Sequence, residues 1–274
     1  MKNSIVLLLV LFSIQIQAQR KPKIKGSKNV IEVREDLPPF NAIELNDDLE
    51  IRLVKGATNG YDINADDNLI DVLKFKVSGE TLVISSFYKI TGKKKLDITV
   101  RYDQLQSISI KKGKIVAEQP IDADELFINA YENAKLELNA NAALIDVNME
   151  GNSSGNFNLD VDSLSMHLSD KINTRIYAVT ERTNLDIKRS ATLNLEGTTD
   201  VLTVDATGSA NMKAEKYEAA MATLKINGTA KSRIYAYKEI ELAAKGSARI
   251  QLYGTPKITI TEFLDTAVLS KKKL

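Results

Sequence analysis

The sequence predicts an all-β chain, mostly a right-handed parallel β-helix or solenoid, with a more irregular β portion on its N-terminal side. Three observations carry that expectation. Apolar residues alternate with period two in short runs, turn residues punctuate those runs, and the second half repeats itself about every nineteen residues.

Composition sets the outer bounds. The chain has 274 residues, with 37 Lys plus Arg against 36 Asp plus Glu, 43% hydrophobic residues, and no Cys or Trp. This excludes a disordered charged polymer, a disulfide-stapled miniprotein, a thiolate metal centre and a cysteine nucleophile. A chain of this length buries roughly three quarters of the surface its unfolded form exposes, enough for one large or two medium cores.

The first elements are read in order. Lys2 followed by the apolar run Ile5 to Ile16 and the small Ala18 has the anatomy of a secretory signal peptide over residues 1–18. The run falls short of the roughly 20 apolar residues a membrane span needs, so no transmembrane segment is expected. Removing it takes away one lysine and no acid, which leaves the mature chain with equal numbers of basic and acidic residues. So balanced a chain lacks the field that drives non-specific binding to nucleic acid, and no nucleic-acid partner is expected.

Residues 19–29, with Lys21, Lys23, Lys25 and Lys28, read as a basic flexible leader. An N-terminal β region follows over 30–104. Ile31 and Val33, Ile43 and Leu45, Ile51 and Leu53, and Tyr61, Ile63 and Ala65 each place apolar side chains on one strand face. Asp67 to Leu73 is compatible with a helical turn or two, Phe75 to Ile84 with a hairpin about Gly79, and Leu96 to Val100 with a further strand.

The solenoid repeat is expected over 105–269, ahead of a basic tail at 270–274. Indexed on a small residue, its units open at Ala134, Gly155, Thr174, Ala191, Ala210, Ser232, Ala248 and Thr266. Large apolar residues stand two positions after every index, from Leu136 to Val268, and six before, from Ile128 to Ile260. Two short strands joined by a turn such as Thr207-Gly208-Ser209 are too small to bury their own apolar face. Stacking such units gives a continuous interior, with right-handed crossovers. The alternative is an antiparallel sandwich with regular strand spacing, which does not require two apolar columns in register.

Phe40-x-x-Ile43, Ile51-x-Leu53, Gly56, Ile63-x-Ala65, Asn68, the Val77 to Ile84 hairpin, Ile98-x-Val100, Leu105-x-x-Ile108-x-Ile110 and the tandem strand-Gly-Ser-Ala-strand units come in a distinctive order. Over roughly residues 38 to 255 this order resembles the putative auto-transporter adhesin head, or GIN-domain, family of exported bacterial proteins. The resemblance implies a β-solenoid in the cell envelope and supplies no catalytic residues. The turn at Lys112-Gly113-Lys114 departs from the family's usual small Ser-Gly type.

Catalytic chemistry finds little purchase. His167 is the only histidine, is expected on an outward position, and is accompanied by no Gly-x-Ser-x-Gly elbow. Asn46-Asp47-Asp48, Asp66-Asp67-Asn68 and Asp160-Val161-Asp162 offer oxygen ligands without a calcium loop and read as turn residues; no metal and no cofactor are expected. Asp186 and Asp205 would stack on adjacent coils about 5 Å apart, close to the separation of a retaining glycosidase pair. Lys188 and Arg189 stand beside them as candidate counter-charges.

The other outward face suits adhesion. One and three positions after the index stand Arg175 and Tyr177, Arg233 and Tyr235, and Arg249 and Gln251. In register these form ladders of forked donors, phenols and amides, residue types that carry binding energy at interfaces. The expected function is therefore an exported, non-enzymatic envelope protein, periplasmic, outer-membrane-associated or extracellular, showing this face to a surface glycan or an envelope protein. The alternatives are a carbohydrate-active β-helix enzyme using Asp186 and Asp205, and a structural spacer. Lys271 to Lys273 are expected to discourage end-to-end stacking.

Overall fold

The computed structural model describes residues 21–273. The expected signal peptide at 1–18 lies outside these residues, as do Gln19, Arg20 and Leu274. The described residues are nearly all β, a parallel solenoid of about nine turns with one helix.

The N-terminal portion comprises β1 (Lys23–Lys25), β2 (Val30–Asp36), β3 (Ala42–Leu45), β4 (Glu50–Lys55), β5 (Gly60–Asp66), α1 (Asp67–Ile70), β6 (Leu73–Ser78), β7 (Thr81–Ser86), β8 (Lys89–Gly92) and β9 (Leu96–Tyr102). The helical turn and the hairpin, β6 with β7, fall where alternation and Gly79 place them. The leader departs from expectation. Instead of remaining flexible, Lys23–Lys25 pairs in parallel with β8, and Lys21 Nζ bonds Asp47 Oδ2 at 2.6 Å and the Ser86 carbonyl at 2.7 Å. The cause is non-local: β8 offers an open edge and Asp47 a counter-charge, neither visible in the leader itself.

From β10 (Ser107–Ile110) onward the chain coils. Six long strands, β11 (Lys114–Ala130), β12 (Lys135–Met149), β13 (Ser154–Leu168), β14 (Asn173–Ile187), β15 (Thr192–Ala206) and β16 (Asn211–Ile226), are followed by β17 (Lys231–Ala244), β18 (Arg249–Tyr253), β19 (Lys257–Phe263) and β20 (Val268–Lys271). Each long strand is one continuous strand bent at a corner, where the two-strand reading of each unit expected a break. One residue per coil drops out of the ladder there, including Ala143, Asp162, Glu181 and Asp200. The halves before the corner stack into a first sheet and those after it into a second, both parallel, which decides against the antiparallel sandwich.

The N-terminal portion continues both sheets. In the first, β11 pairs with β4, β4 with β9, and β9 with antiparallel β5 and then β2. In the second, β10 pairs with β3, β3 with β7, and β7 with β6. α1 links the sheets at that end and buries Leu69. A single core runs between the sheets from Phe40 to Leu252.

The register differs from the one the small residues suggest. Direct partners run Leu136, Gly155, Thr174, Leu193, Met212, Ser232, Ile250 and Leu269. Gly155, Thr174 and Ser232 thus belong two positions later than Ala134, Ala191, Ala210 and Ala248. Ser232 pairs with Met212, not with Ala210. Alternation cannot see an error of two, because such a shift keeps every side chain on its own side of the sheet. The small residues survive in this inward column for local reasons: the Phe157 ring fills the space beside Gly155, and Thr174 Oγ1 donates to the Gly155 carbonyl at 3.0 Å.

The turns between coils mark the true period. Left-handed backbone recurs at Gly113, Glu132, Gly151, Asp170, Arg189, Gly208, Gly228, Gly246 and Asp265, nineteen apart except for one interval of twenty and one of eighteen. Successive turns hydrogen-bond one another, as from Ser209 N–H to the Arg189 carbonyl and from Ser247 N–H to the Gly228 carbonyl, each 2.7 Å. Gly113 belongs to this column, and a Cβ there would collide with the Leu49 carbonyl. The departing Lys112-Gly113-Lys114 sequence therefore makes an ordinary turn of the stack.

Candidate binding face

The outward residues of the first sheet form columns across neighbouring coils, set by parallel pairing at about 4.8 Å per coil. In the column nearest the turn, Asn211, Lys231 and Arg249 are direct partners. In the next, the run is Arg175, Asn194, Lys213, Arg233 and Gln251. Tyr235 pairs with Tyr253.

Of the six residues expected to bind, four therefore come together: Arg233, Tyr235, Arg249 and Gln251 lie on two adjacent coils. Arg175 and Tyr177 do not join them. They stand three coils away, and the intervening β16 carries an irregularity between Ala214 and Glu218 that breaks the third column. Tyr177 pairs with Asn158 and Glu196, so it shares no ladder with Tyr235.

Three of the four, Arg233, Arg249 and Gln251, line a shallow depression of about 230 Å³ together with Asn211, Lys231 and Ser232, and Tyr235 lies outside that lining. Its electrostatics are one-sided. Arg233 Nη1 reaches Glu215 Oε1 at 2.9 Å, while Lys231 stands directly opposite Arg249, a like-charge pair that disfavours the strand pairing. Further toward the N-terminus the same column begins with Glu50, Lys114 and Lys135; Lys114 is held between Glu137 of the neighbouring column at 2.9 Å and Glu50 at 3.8 Å, while Lys135 stands directly opposite it. The hydrogen bond to Glu137 raises the Lys114 pKa. The C-terminal coils thus present cations, amides and phenols on one face.

On the second sheet, register confirms that Asp186 and Asp205 are direct neighbours. Their column reads Asn148, His167, Asp186, Asp205 and Lys225. Lys188 Nζ bonds Asp186 Oδ2 at 2.6 Å and His167 Nδ1 lies 3.6 Å from the same oxygen. The Asp186 bond is the largest cause of a raised Lys188 pKa, which keeps that counter-charge protonated. Arg189, expected to assist, turns instead to Asp170 on the preceding coil. The nearby depression of about 370 Å³ touches Asp205 but not Asp186. The acids are thus embedded in a charge-balanced ladder rather than facing a common cleft. The small-residue index hid His167 from this group by two positions; the left-handed turn column would have placed it.

The oxygen-rich clusters at the N-terminal end are engaged by the protein itself. Asp47 holds Lys21 and the Ser86 N–H, Asp66 accepts from the Lys94 and Lys95 N–H groups, and Asp67 accepts from Asn29. Three hydrogen-bond donors, Ser27 first, hold the exposed Asp67 carboxyl below its ordinary range. Among the described residues no group of three or more His, Asp or Glu side chains is arranged to hold a metal ion.

Fold and face together define a parallel β-solenoid with flat, rigid, polar outer sheets. The chain belongs to the family described as "Putative auto-transporter adhesin, head GIN domain", which matches residues 39–180 and 154–256. Among solved structures, a putative adhesin from Parabacteroides merdae is similar at 17% identity, with a TM-score of 0.69, covering 92% of this chain and 99% of the other. A putative adhesin from Parabacteroides distasonis is 14% identical, TM-score 0.65, covering 92% and 100%. A protein named a putative lipid binding protein from Parabacteroides distasonis is 18% identical, TM-score 0.62, covering 91% and 99%. At these identities the likeness is one of fold. No curated protein matches the chain. No helix among the described residues is long and apolar enough to cross a membrane.

Proposed function

We propose that the protein is an exported, non-enzymatic, adhesin-like binder of the cell envelope, holding the C-terminal part of its first sheet against a surface glycan rich in acidic groups. The observation that carries the reading is the in-register grouping of Lys231, Arg233, Arg249 and Gln251 around one depression, with the Tyr235–Tyr253 pair on the same two coils and Glu215 as the acid bonded to Arg233. Arginine forks suit carboxylate and sulfate, and tyrosine and amide edges suit sugar hydroxyls. The solenoid contributes rigidity: each side chain stands on backbone bonded to the coils before and after it, so little ordering is required on binding. Export rests on the apolar run expected to act as a signal peptide at 1–18.

The test is retention of the purified protein on arrays of neutral and acidic glycans and on envelope fractions. Arg233→Ala combined with Arg249→Ala should weaken binding to acidic glycans by about tenfold or more, and raising salt should weaken the parent in the same direction. Equal retention of parent and variant, or capture by envelope proteins alone, would reject the glycan reading. Sugar release from any array position that Asp205→Asn abolishes would support the enzymatic alternative instead.

A further inference from the structure

The two ends of the solenoid are built differently. At the N-terminal end α1 links the sheets with Leu69 buried, and the outermost strands carry charge: Glu32, Arg34, Glu35 and Asp36 on β2, Lys74 and Lys76 on β6. Charged edge strands are a standard guard against further pairing. At the C-terminal end nothing among the described residues covers the last coil. Ile258, Ile260, Phe263, Leu264 and Val268 are all exposed there, Ile260 and Leu264 by half of their surface. Ile258 and Ile260 continue core columns, pairing with Ile240 and Leu242 beneath them, and no described coil lies over them. The outer edges of β19 and β20 likewise offer backbone groups with no described strand beyond them.

From these features we infer that the C-terminal end is an interface for a second copy of this chain, joined tail to tail about a two-fold axis perpendicular to the sheets. The partner's last coil has the same cross-section and the same apolar columns, so it supplies the missing layer. The charged N-terminal end does not. Such a two-fold contact closes on itself and stops at a dimer, whereas head-to-tail contact would propagate.

Charge selects this orientation. β19 starts at the corner edge with Lys257 and ends at the turn edge near Glu262 and Asp265, and β20 then carries Lys271, Lys272 and Lys273 back toward the corner edge. A two-fold axis perpendicular to the sheets lays β19 antiparallel on β19 of the partner, bringing the basic edge of each copy over the acidic edge of the other. A two-fold axis along the strands would set β19 on β20 and place Lys257 by the partner's lysine run. Those lysines thus oppose end-to-end contact in every arrangement that matches like edges, and favour the one that crosses them. With seven residues on β19 and four on β20 at about 3.3 Å each, and sheets about 10 Å apart, the end face covers roughly 400 Å² per copy with its side chains. That is below the approximately 800 Å² per partner of a standard interface, so dissociation constants in the micromolar range are expected.

Sedimentation velocity of the purified protein, over concentrations that bracket the micromolar range, should show a monomer–dimer equilibrium with no larger species. Ile260→Lys and, separately, Leu264→Glu should each weaken dimerisation by about tenfold or more. Because both positions are half exposed, thermal melts of the variants should match the parent. Lys257→Glu or Glu262→Lys alone should weaken the dimer, and the two together should restore it. The chain has no cysteine, so Thr259→Cys takes a single spin label, which should give a short label-to-label distance across the axis; Lys76→Cys, at the other end, should not. A monomer at every concentration, growth beyond two copies, or an unchanged constant for Ile260→Lys would overturn the inference. Failure of the double charge reversal would overturn the orientation.

Discussion

Glu132, Asp170, Arg189 and Asp265 hold left-handed backbone in the turn column, where glycine stands at Gly151, Gly208, Gly228 and Gly246. The two aspartates have a compensating role, accepting from the N–H of the glycine one coil before: Gly151 to Asp170 at 3.3 Å and Gly246 to Asp265 at 2.8 Å. Arg189 bonds Asp170, and that bond is the largest cause of the lowered Asp170 pKa. Glu132 has only an exposed ion pair with Lys112 at 3.1 Å. Glu132→Gly should therefore stabilise the protein by about 1 kcal/mol, seen as a raised midpoint in thermal unfolding. Tyr102 provides the pH counterpart. Burial, and secondarily the charge of Asp122, push its phenol from the ordinary 10.0 up to about 12. The unfolded chain loses this proton first, so the stabilising contribution of the neutral phenol is complete below pH 10 and disappears as pH climbs to about 12. Tyr102→Phe should flatten that alkaline decline in denaturant midpoints; a parallel decline in both proteins would assign it to other groups.

At the scale of the coil, one repeat is a bent strand, a corner and a turn, with neighbours nineteen residues away. Corners are where individual coils differ. Tyr217 enters at the β16 irregularity beside Gly197, and its hydroxyl shares hydrogen bonds with Thr183 at 2.7 Å and Thr180 at 3.0 Å, leaving a polar knot inside the bend. Burial raises the Tyr217 pKa despite these bonds. The coils between β12 and β15 lack such insertions. Removal of residues 154–172, one whole period, should give a folded solenoid with a smaller denaturant m-value, because each coil contacts only its neighbours. Removing eighteen of those residues should abolish cooperative unfolding, since the strand beyond the cut would present its core side to water. Circular dichroism during urea titration distinguishes the two outcomes.

For the whole molecule, near-neutral net charge conceals a strong arrangement in space. Among the described residues the charged β2 and β6 edges guard one end, an apolar last coil lies uncovered at the other, and cations cluster on the first sheet near it. Ion pairs mostly bridge successive coils, as in Lys114 with Glu137, Arg189 with Asp170 and Lys216 with Glu196. Exposed pairs of this kind contribute little stability each. Their consequence is positional: acids on neighbouring coils offset Lys114 and Lys216, whereas at the C-terminal end Lys231 and Arg249 are direct partners of like charge.

Fold class, strand direction of the repeats, the α1 turn, the β6–β7 hairpin and the adjacency of Asp186 and Asp205 were all legible in the residues, since side-chain parity and a repeat near nineteen are local, periodic signals. Register was legible only through the left-handed turn positions, four of the nine being disguised by Glu, Asp and Arg. The alignment of Gly155, Thr174 and Ser232 was hidden for that reason, and with it the nearness of His167 to Asp186; the separation of Tyr177 from Tyr235 comes from the β16 irregularity, which the repeat spacing does not reveal. The pairing of β1 with β8, the bond from Lys21 to Asp47, and the contrast between a guarded and an open end depended on tertiary structure alone. Each joins residues whose partners lie tens of positions away, and no pattern along the chain encodes which edge remains uncovered once the coils have stacked.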